Sequence, residues 1–358
     1  MVESWPQWVI AGVPVLLLVA AALVWHRGLV RLRGREPMPY CRARTADGAD
    51  LALYRCGQPT GQPLILIAGF ASSHMYWDFE SPRLAGEPAS VSGYLADHGF
   101  DVWTFDYRGH GRSRAPSVWS SYGFEQLVRE DLATVVQKVL QSRPDCTPSD
   151  LHLVGHSVGA VAALVYLSER GESYGRSVML APPVALAEST RLARWIVRNR
   201  TIISTWPVVA FGSFARWMPY AFAALQPAMA RQFITSGQTS AGTFLRWSMT
   251  ALSDVSARLT IEIMGWIAHH GARWQRRSVQ ELMRQCRTEI RYVTSRADAL
   301  VGSDAFGLVR AILPSQASWE DVSPDSAMGH CDLLLGREAL DRVWQPLVRW
   351  LRAGTAAK

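Results

Sequence analysis

Gly155-His156-Ser157-Val158-Gly159 sets a lone serine between two glycines inside "LHLVGHSVGAVAALVYL" (151–167), an apolar run that enters and leaves the motif without a polar break. A strand that turns at once into a helix strains the turn residue and crowds backbone against backbone, and glycines two places to either side relieve the crowding. The serine hydroxyl then stands at the edge of the sheet. The helix that begins beneath it aims the Val158 amide at the place where negative charge develops on an attacked carbonyl. Serine becomes a competent nucleophile only when a histidine takes its proton and an acid orients that histidine. Asp298 in "TSRADALVG" and His330 in "AMGHCDLL" complete the chain order Ser157, Asp298, His330. A second amide facing the same charge is expected from the loop after an early strand, where Phe70 follows Gly69 in "PLILIAGF".

Other residues compete for these roles. Asp304, or Glu188 after the preceding strand, could stand in for Asp298, whereas Asp106 reads as a structural hydrogen-bonding group at a strand end. Gly69, His74 and His156 are the candidates for lining the substrate pocket, although His156 also occupies the variable position of the turn. His110 belongs to the loop after "FDYRG", and His269 and His270 lack metal-ligand spacing. No metal or cofactor is expected.

The elements needed to position these groups are legible as alternating patterns. "DLALYRC", "PLILIAGF", "DVWTFDYRGHGRS", "DLHLVG", "SVMLAPP", "EIRYVTS" and "QASWEDV" read as strands, with helices near 93–98, 123–141 and 337–352. Such alternation implies an α/β fold, a mainly parallel sheet with helices on both faces, with ligands outside the strands' C-terminal ends. About a hundred residues between "SVMLAPP" and "EIRYVTS" show helical character and no clear strand. They read as an inserted helical cap whose tryptophans, Trp195, Trp206, Trp217, Trp247, Trp266 and Trp274, are packing residues by default. The expected organisation is 1–35 as membrane anchor and basic flank, 36–183 and 286–358 as the two parts of the core, and 184–285 as the cap.

"LIAGFASSHMYWDF", "FDYRGHGRS", "LVGHSVGA", "VTSRADALVG" and "GHCDLLLG", in this order across 60–350, make the chain resemble the α/β-hydrolase superfamily, and within it the capped lipases and esterases. "GFASSHMYWDF" followed by "GYLADHGFDVW" is similar to the acid-lipase and polyester-hydrolase branches. The resemblance implies a Ser-His-Asp carboxyl-ester hydrolase working through an acyl-enzyme without a cofactor. Ala68 departs from the histidine that commonly precedes the oxyanion glycine. An acyltransferase or thioesterase would use the same acyl-serine, and a catalytically inactive, membrane-tethered interaction module would show a broken triad.

Composition bounds the rest. The chain has 358 residues and a net charge of +7, with basic residues that read as spread along the chain. No basic run interleaved with aromatics suggests nucleic acid. Cys41, Cys56, Cys146, Cys286 and Cys331 are scattered and odd in number, which fits free thiols better than a disulfide framework. Residues 8–25, "WVIAGVPVLLLVAAALVW", form an uncharged stretch long enough to cross a bilayer, flanked by Trp5, Trp8 and Trp25. Arg27, Arg31, Arg33 and Arg35 follow it, which orients the catalytic part toward the cytoplasm, at a bacterial inner membrane. The alternative is export after cleavage near Ala20, Ala21 and Ala22, although the segment before the apolar run holds Glu3 and no Lys or Arg.

Overall fold

Three apolar segments, "QPLILI", "FDVWTF" and "HLVGH", are buried almost end to end, as strands covered on both faces must be. They are the centre of an eight-stranded sheet formed by β1 (Cys41–Arg44), β2 (Asp50–Cys56), β3 (Gln62–Ile67), β4 (Phe100–Phe105), β5 (His152–His156), β6 (Ser177–Leu180), β7 (Ile290–Thr294) and β8 (Ala317–Asp321). The spatial order is β1-β2-β4-β3-β5-β6-β7-β8. β1 and β2 join antiparallel, β2 pairs antiparallel with β4, and every later pairing is parallel. The computed structural model describes residues 37–80, 90–117, 121–186, 191–217, 225, 230–235, 237–275, 277–301, 317–322 and 327–353. The apolar segment 8–25 with its flanking tryptophans and arginines, and the alternative acids Asp304 and Glu188, lie outside the described residues. Among those that are described, no helix is long and apolar enough to cross a membrane.

The crossovers are helices: α1 (Val91–Asp97) between β3 and β4, α2 (Ala133–Ser142) between β4 and β5, and α3 (Val158–Arg170) between β5 and β6. Ser90 caps α1 by accepting from the Gly93 amide. Directly before α2, residues Leu127–Leu132 wind as a π-helix. This segment presents Asp131, whose carboxylate accepts from the Arg108 amide at 2.9 Å and from its Nε at 2.8 Å. α3 is the most enclosed helix, with Val158 to Ser168 all buried, which explains its alanine-rich sequence without a polar face.

Between β6 and β7 come α4 (Arg191–Arg198), α5 (Phe211–Trp217), α6 (Ala241–Ala251) and α7 (Ala257–Ala268). The region is not purely helical, because Val208–Val209 pairs with Val255–Ser256 and Arg273–Trp274 with Arg277–Ser278. α8 (Gln345–Ala353) closes the described fold, preceded by a π segment at Leu340–Trp344. All five cysteines are free thiols, Cys286 and Cys331 buried.

Candidate active site

At the end of β5 the backbone of Ser157 takes φ +54° and ψ −126°, a region that side-chain-bearing residues enter only under constraint. The constraint is visible on both sides. Its amide donates to the Leu180 carbonyl on β6 at 2.9 Å, and α3 starts at the next residue. A Cβ on Gly155 would come within 2.6 Å of Ala160 Cα, and one on Gly159 within 2.3 Å of the Ala68 carbonyl oxygen. Both obstacles are backbone, so only glycine fits at either place. The two glycines allow α3 to close on β5 and on the loop after β3, and Ser157 is the strained apex between them.

That loop supplies the neighbours of the serine. A Cβ at Gly69 would lie 3.4 Å from Ser157 Cβ and 3.1 Å from the Tyr76 hydroxyl, so Gly69 forms the wall beside Ser157. The next residues turn sharply, with Ala71 at φ +55°. Among the described residues the amides of Phe70 and Val158 donate to no protein acceptor.

Asp298 and His330 meet below the C-terminal ends of β7 and β8. His330 Nδ1–H donates to Asp298 Oδ2 at 2.7 Å, and both side chains are buried. The other carboxylate oxygen accepts from the amides of Leu300 at 2.8 Å and Val301 at 3.1 Å, which fixes the acid in place. With its Nδ1 proton held by the carboxylate, the imidazole keeps Nε2 as its basic nitrogen. Among the described residues no hydrogen bond joins the Ser157 hydroxyl to the His330 ring.

The connection between the two halves of the site runs through His156. Its Nε2–H donates to the backbone carbonyl of His330 at 2.9 Å, and the two rings meet edge to face with centroids 4.7 Å apart. Its Nδ1 accepts from the Tyr76 hydroxyl. Burial, followed by the unfavourable electrostatic effect of the adjacent His330 ring, holds the His156 pKa well below its usual 6.5, so the ring is neutral, as this donor-and-acceptor role requires. His156 is fully buried, and its bonds make it a strut between the turn and the His330 loop.

His74, the other histidine expected near the pocket, is likewise enclosed. It is 1% exposed, its ring stacks on Tyr54 with centroids 3.5 Å apart, and its Nδ1–H and backbone amide both donate to Asp106 Oδ1. Asp106 also accepts from Tyr54 at 2.9 Å and from the Arg112 amide at 2.8 Å. Burial alone would raise its pKa, but His74 and these donors outweigh burial and hold it below the ordinary carboxylate value. Asp106 is thus a hub tying the loop after β3 to the loop after β4.

The insertion between β6 and β7, the expected cap, holds both the Phe70 loop and the His330 loop. Ser73 donates to Ala251 at 2.8 Å and Ser253 to Ala71 at 2.7 Å, a short antiparallel bridge between the Phe70 loop and the end of α6. On the other side the Cys331 amide donates to the Phe233 carbonyl at 2.7 Å. Asp332, which is fully buried, accepts from the amides of Thr235 and Gly329 at 2.7 Å each and from the Thr239 hydroxyl at 2.6 Å. Burial raises the Asp332 pKa in spite of these donors. Asp332 lies in the quoted motif "GHCDLLLG", but nothing in its spacing marks it as the tie between cap and histidine loop. Aromatic rings fill the space between cap and core: Phe211 against Phe70, Phe233 against His330, and Trp247 against Tyr76.

A mostly parallel sheet in the order 1-2-4-3-5-6-7-8, a strained serine at the turn from β5 into α3, and an Asp-His pair delivered by the last loops define an α/β-hydrolase. The family model of the serine aminopeptidases, S33, matches residues 85–284 of the 358, and the chain belongs to that family. Among curated proteins, "Probable oxidoreductase EphD" of Mycobacterium tuberculosis is 30% identical over 127 residues, 36% of this chain and 18% of that protein. Triacylglycerol lipase 1 of Arabidopsis thaliana is 30% identical over 138 residues, 35% of this chain and 33% of the lipase. The chain therefore spans a third or less of the length of these two relatives. The fold agrees with a thermophilic esterase from Thermogutta terrifontis at TM-score 0.59 and 17% identity, covering 87% of this chain and 98% of that one. An esterase from Exiguobacterium antarcticum agrees at TM-score 0.59 and 15% identity, with coverage of 87% and 98%.

Proposed function

We propose that the protein is a serine hydrolase that cleaves carboxylic esters of hydrophobic acids through Ser157, His330 and Asp298. The observation that carries this reading is the His156 strut, which seats the loop of the Asp298-paired histidine on the residue next to the strained serine. In this account the Ser157 hydroxyl attacks the ester carbonyl while His330 Nε2 takes its proton. Asp298 holds the imidazole in the required tautomer and balances its positive charge. The amides of Phe70 and Val158 face the oxyanion, each supplying about 3 kcal/mol of transition-state stabilisation. His330 then protonates the departing alcohol, and water admitted to the same histidine releases the acid.

The hydrophobic acyl preference rests on the aromatic rings of Phe70, Phe211 and Phe233, all half-buried where cap meets core. An aminopeptidase would need a carboxylate for the substrate's ammonium. The sequence from 189 to 253 contains no Asp or Glu, and Asp332 beneath it is already bonded to three donors. We place the apolar segment 8–25 as a membrane anchor, with Arg27 to Arg35 on the cytoplasmic side. The testing experiment is a p-nitrophenyl ester panel of graded acyl length, with Ser157→Ala as control and competing alcohols, amines and thiols as acceptors. Hydrolysis that rises with acyl length and vanishes in the variant is expected. Preferential transfer to an acceptor would make the enzyme an acyltransferase, and no turnover of any ester would end the reading.

A further inference from the structure

The arginines are spread along the chain, but the acidic residues that offset them are not. Residues 189–253 contain seven arginines and no Asp, Glu or Lys, so this stretch alone carries as much positive charge as the net +7 of the whole chain. The cap tryptophans also divide. Trp247, Trp266 and Trp274 are buried packing residues, as expected, but Trp195 and Trp206 are 58% and 68% exposed, and Ile202 between them is 67% exposed.

These two anomalies fall on one surface. α4 packs against α7 with Ala193 buried, and turns Arg191, Arg194, Trp195 and Arg198 to the outside. The helix Arg200–Ile203 and the turn after it continue with exposed Arg200, Ile202 and Trp206. Arg194, Val197, Arg198, Arg200, Thr201, Ala268 and His269 line a shallow cleft of about 370 Å³. Water disfavours such large apolar groups held out on a surface, and their position calls for something to cover them.

We propose that this outer face of the cap, residues 191–206, docks on the surface of an anionic phospholipid bilayer. Arg194, Arg198 and Arg200 meet headgroup phosphates, while Trp195, Ile202 and Trp206 enter the boundary between headgroups and acyl chains. Charge complementarity supports this occupant, and so does the pattern. Exposed arginines beside exposed tryptophan and isoleucine on one short stretch suit the headgroup boundary, where anionic phosphates adjoin apolar acyl chains. Tryptophan suits that boundary because its ring is apolar and its N–H is polar. The proposal does not depend on catalysis.

The test is binding of the full-length chain to vesicles of phosphatidylcholine alone, and of phosphatidylcholine mixed with phosphatidylglycerol. Three variants are compared with the parent: Arg194→Gln/Arg198→Gln/Arg200→Gln, Trp195→Ser/Ile202→Ser/Trp206→Ser, and Ser157→Ala. Insertion of 8–25 and attraction of the arginines at 27–35 contribute alike to all four proteins. The expected result is that phosphatidylglycerol strengthens parent and Ser157→Ala binding equally. Each triple variant should lose about tenfold of that binding or more, while keeping parental hydrolysis of a soluble short-chain ester as proof of folding. Added salt should weaken the parent more than the arginine variant. The proposal is overturned if both triple variants bind like the parent. It is equally overturned if soluble glycerol phosphate abolishes the difference between parent and variants, which would make the cleft a site for free anions, or if phosphatidylglycerol gives no gain at all.

Discussion

His156 Nε2 lies 2.9 Å from the carbonyl oxygen of His330, so the residue before the strained Ser157 holds the backbone of the histidine paired with Asp298. The bond joins β5 to a loop 174 positions further along the chain. Without it the histidine loop is held from the Asp298 side and the cap side alone. His156→Phe removes both of its hydrogen bonds and leaves the Tyr76 hydroxyl and the His330 carbonyl buried and unpaired. We predict a fall in kcat of roughly tenfold to a hundredfold with KM nearly unchanged, about 1 to 3 kcal/mol of lost positioning. His156→Gln, which can still donate, should recover part of kcat. Steady-state kinetics on one ester across the three proteins checks both statements, and equal losses in the two variants would contradict the strut.

Asp332 performs the corresponding task on the cap side. Asp332→Ala leaves the amides of Thr235 and Gly329 and the Thr239 hydroxyl without their acceptor. The expected cost is roughly 3 kcal/mol in stability, measured by denaturant unfolding, together with lower kcat from a loosened His330 loop. A variant with parental kcat and parental unfolding midpoint would show that the cap does not hold this loop.

The two glycines around the serine and a third elsewhere make a comparison with opposite signs. Gly155→Ala and Gly159→Ala drive a methyl into backbone and should prevent folding or cost several kcal/mol, above the roughly 0.5 to 3 kcal/mol of an ordinary point substitution. Gly265 lies in α7 with nothing within 4 Å of an added Cβ. Gly265→Ala should stabilise by up to about 1 kcal/mol through helix propensity. Thermal unfolding of the soluble fraction distinguishes the three.

Burial lowers the pKa of both His156 and His110, from 6.5 in each case. A histidine kept neutral in the folded state takes up its proton in the unfolded state first. Its contribution to stability is therefore complete above pH 6.5 and is lost as pH falls below that value. Each such histidine contributes a slope of about 1.4 kcal/mol per pH unit in that window. Urea unfolding between neutral and mildly acidic pH should show declining stability, with a shallower decline in His156→Gln. A profile unchanged by that substitution would mean that His156 is protonated in the folded protein.

Most of the framework could be read in advance because its segments obey simple patterns. The buried strands β3 to β7 are apolar runs, and the Ser157 turn is flanked by glycines whose reason is steric and local. β1 was not among the expected strands, since "CRAR" alternates with charged residues at the sheet edge and buries only Ala43. The π segment at Leu127–Leu132 leaves no mark in the helical periodicity, because its purpose is to bring Asp131 to Arg108, a partner in another loop. The same applies to His74, His156 and Asp332. Their types suggested pocket residues or nothing in particular, and their roles come from partners distant in the chain. The uneven charge of the cap was present in the sequence all along, but became meaningful once Trp195 and Trp206 stood on the same exposed surface.

The most direct measurement is the mass of the intact protein after brief exposure to a p-nitrophenyl ester and acid quench, with peptide mapping of the product. The account predicts one added acyl group per chain on Ser157, its accumulation abolished in Ser157→Ala and its formation slowed at least about 10⁴-fold in His330→Ala. Acylation at another residue, or ester turnover that survives in Ser157→Ala, would contradict it.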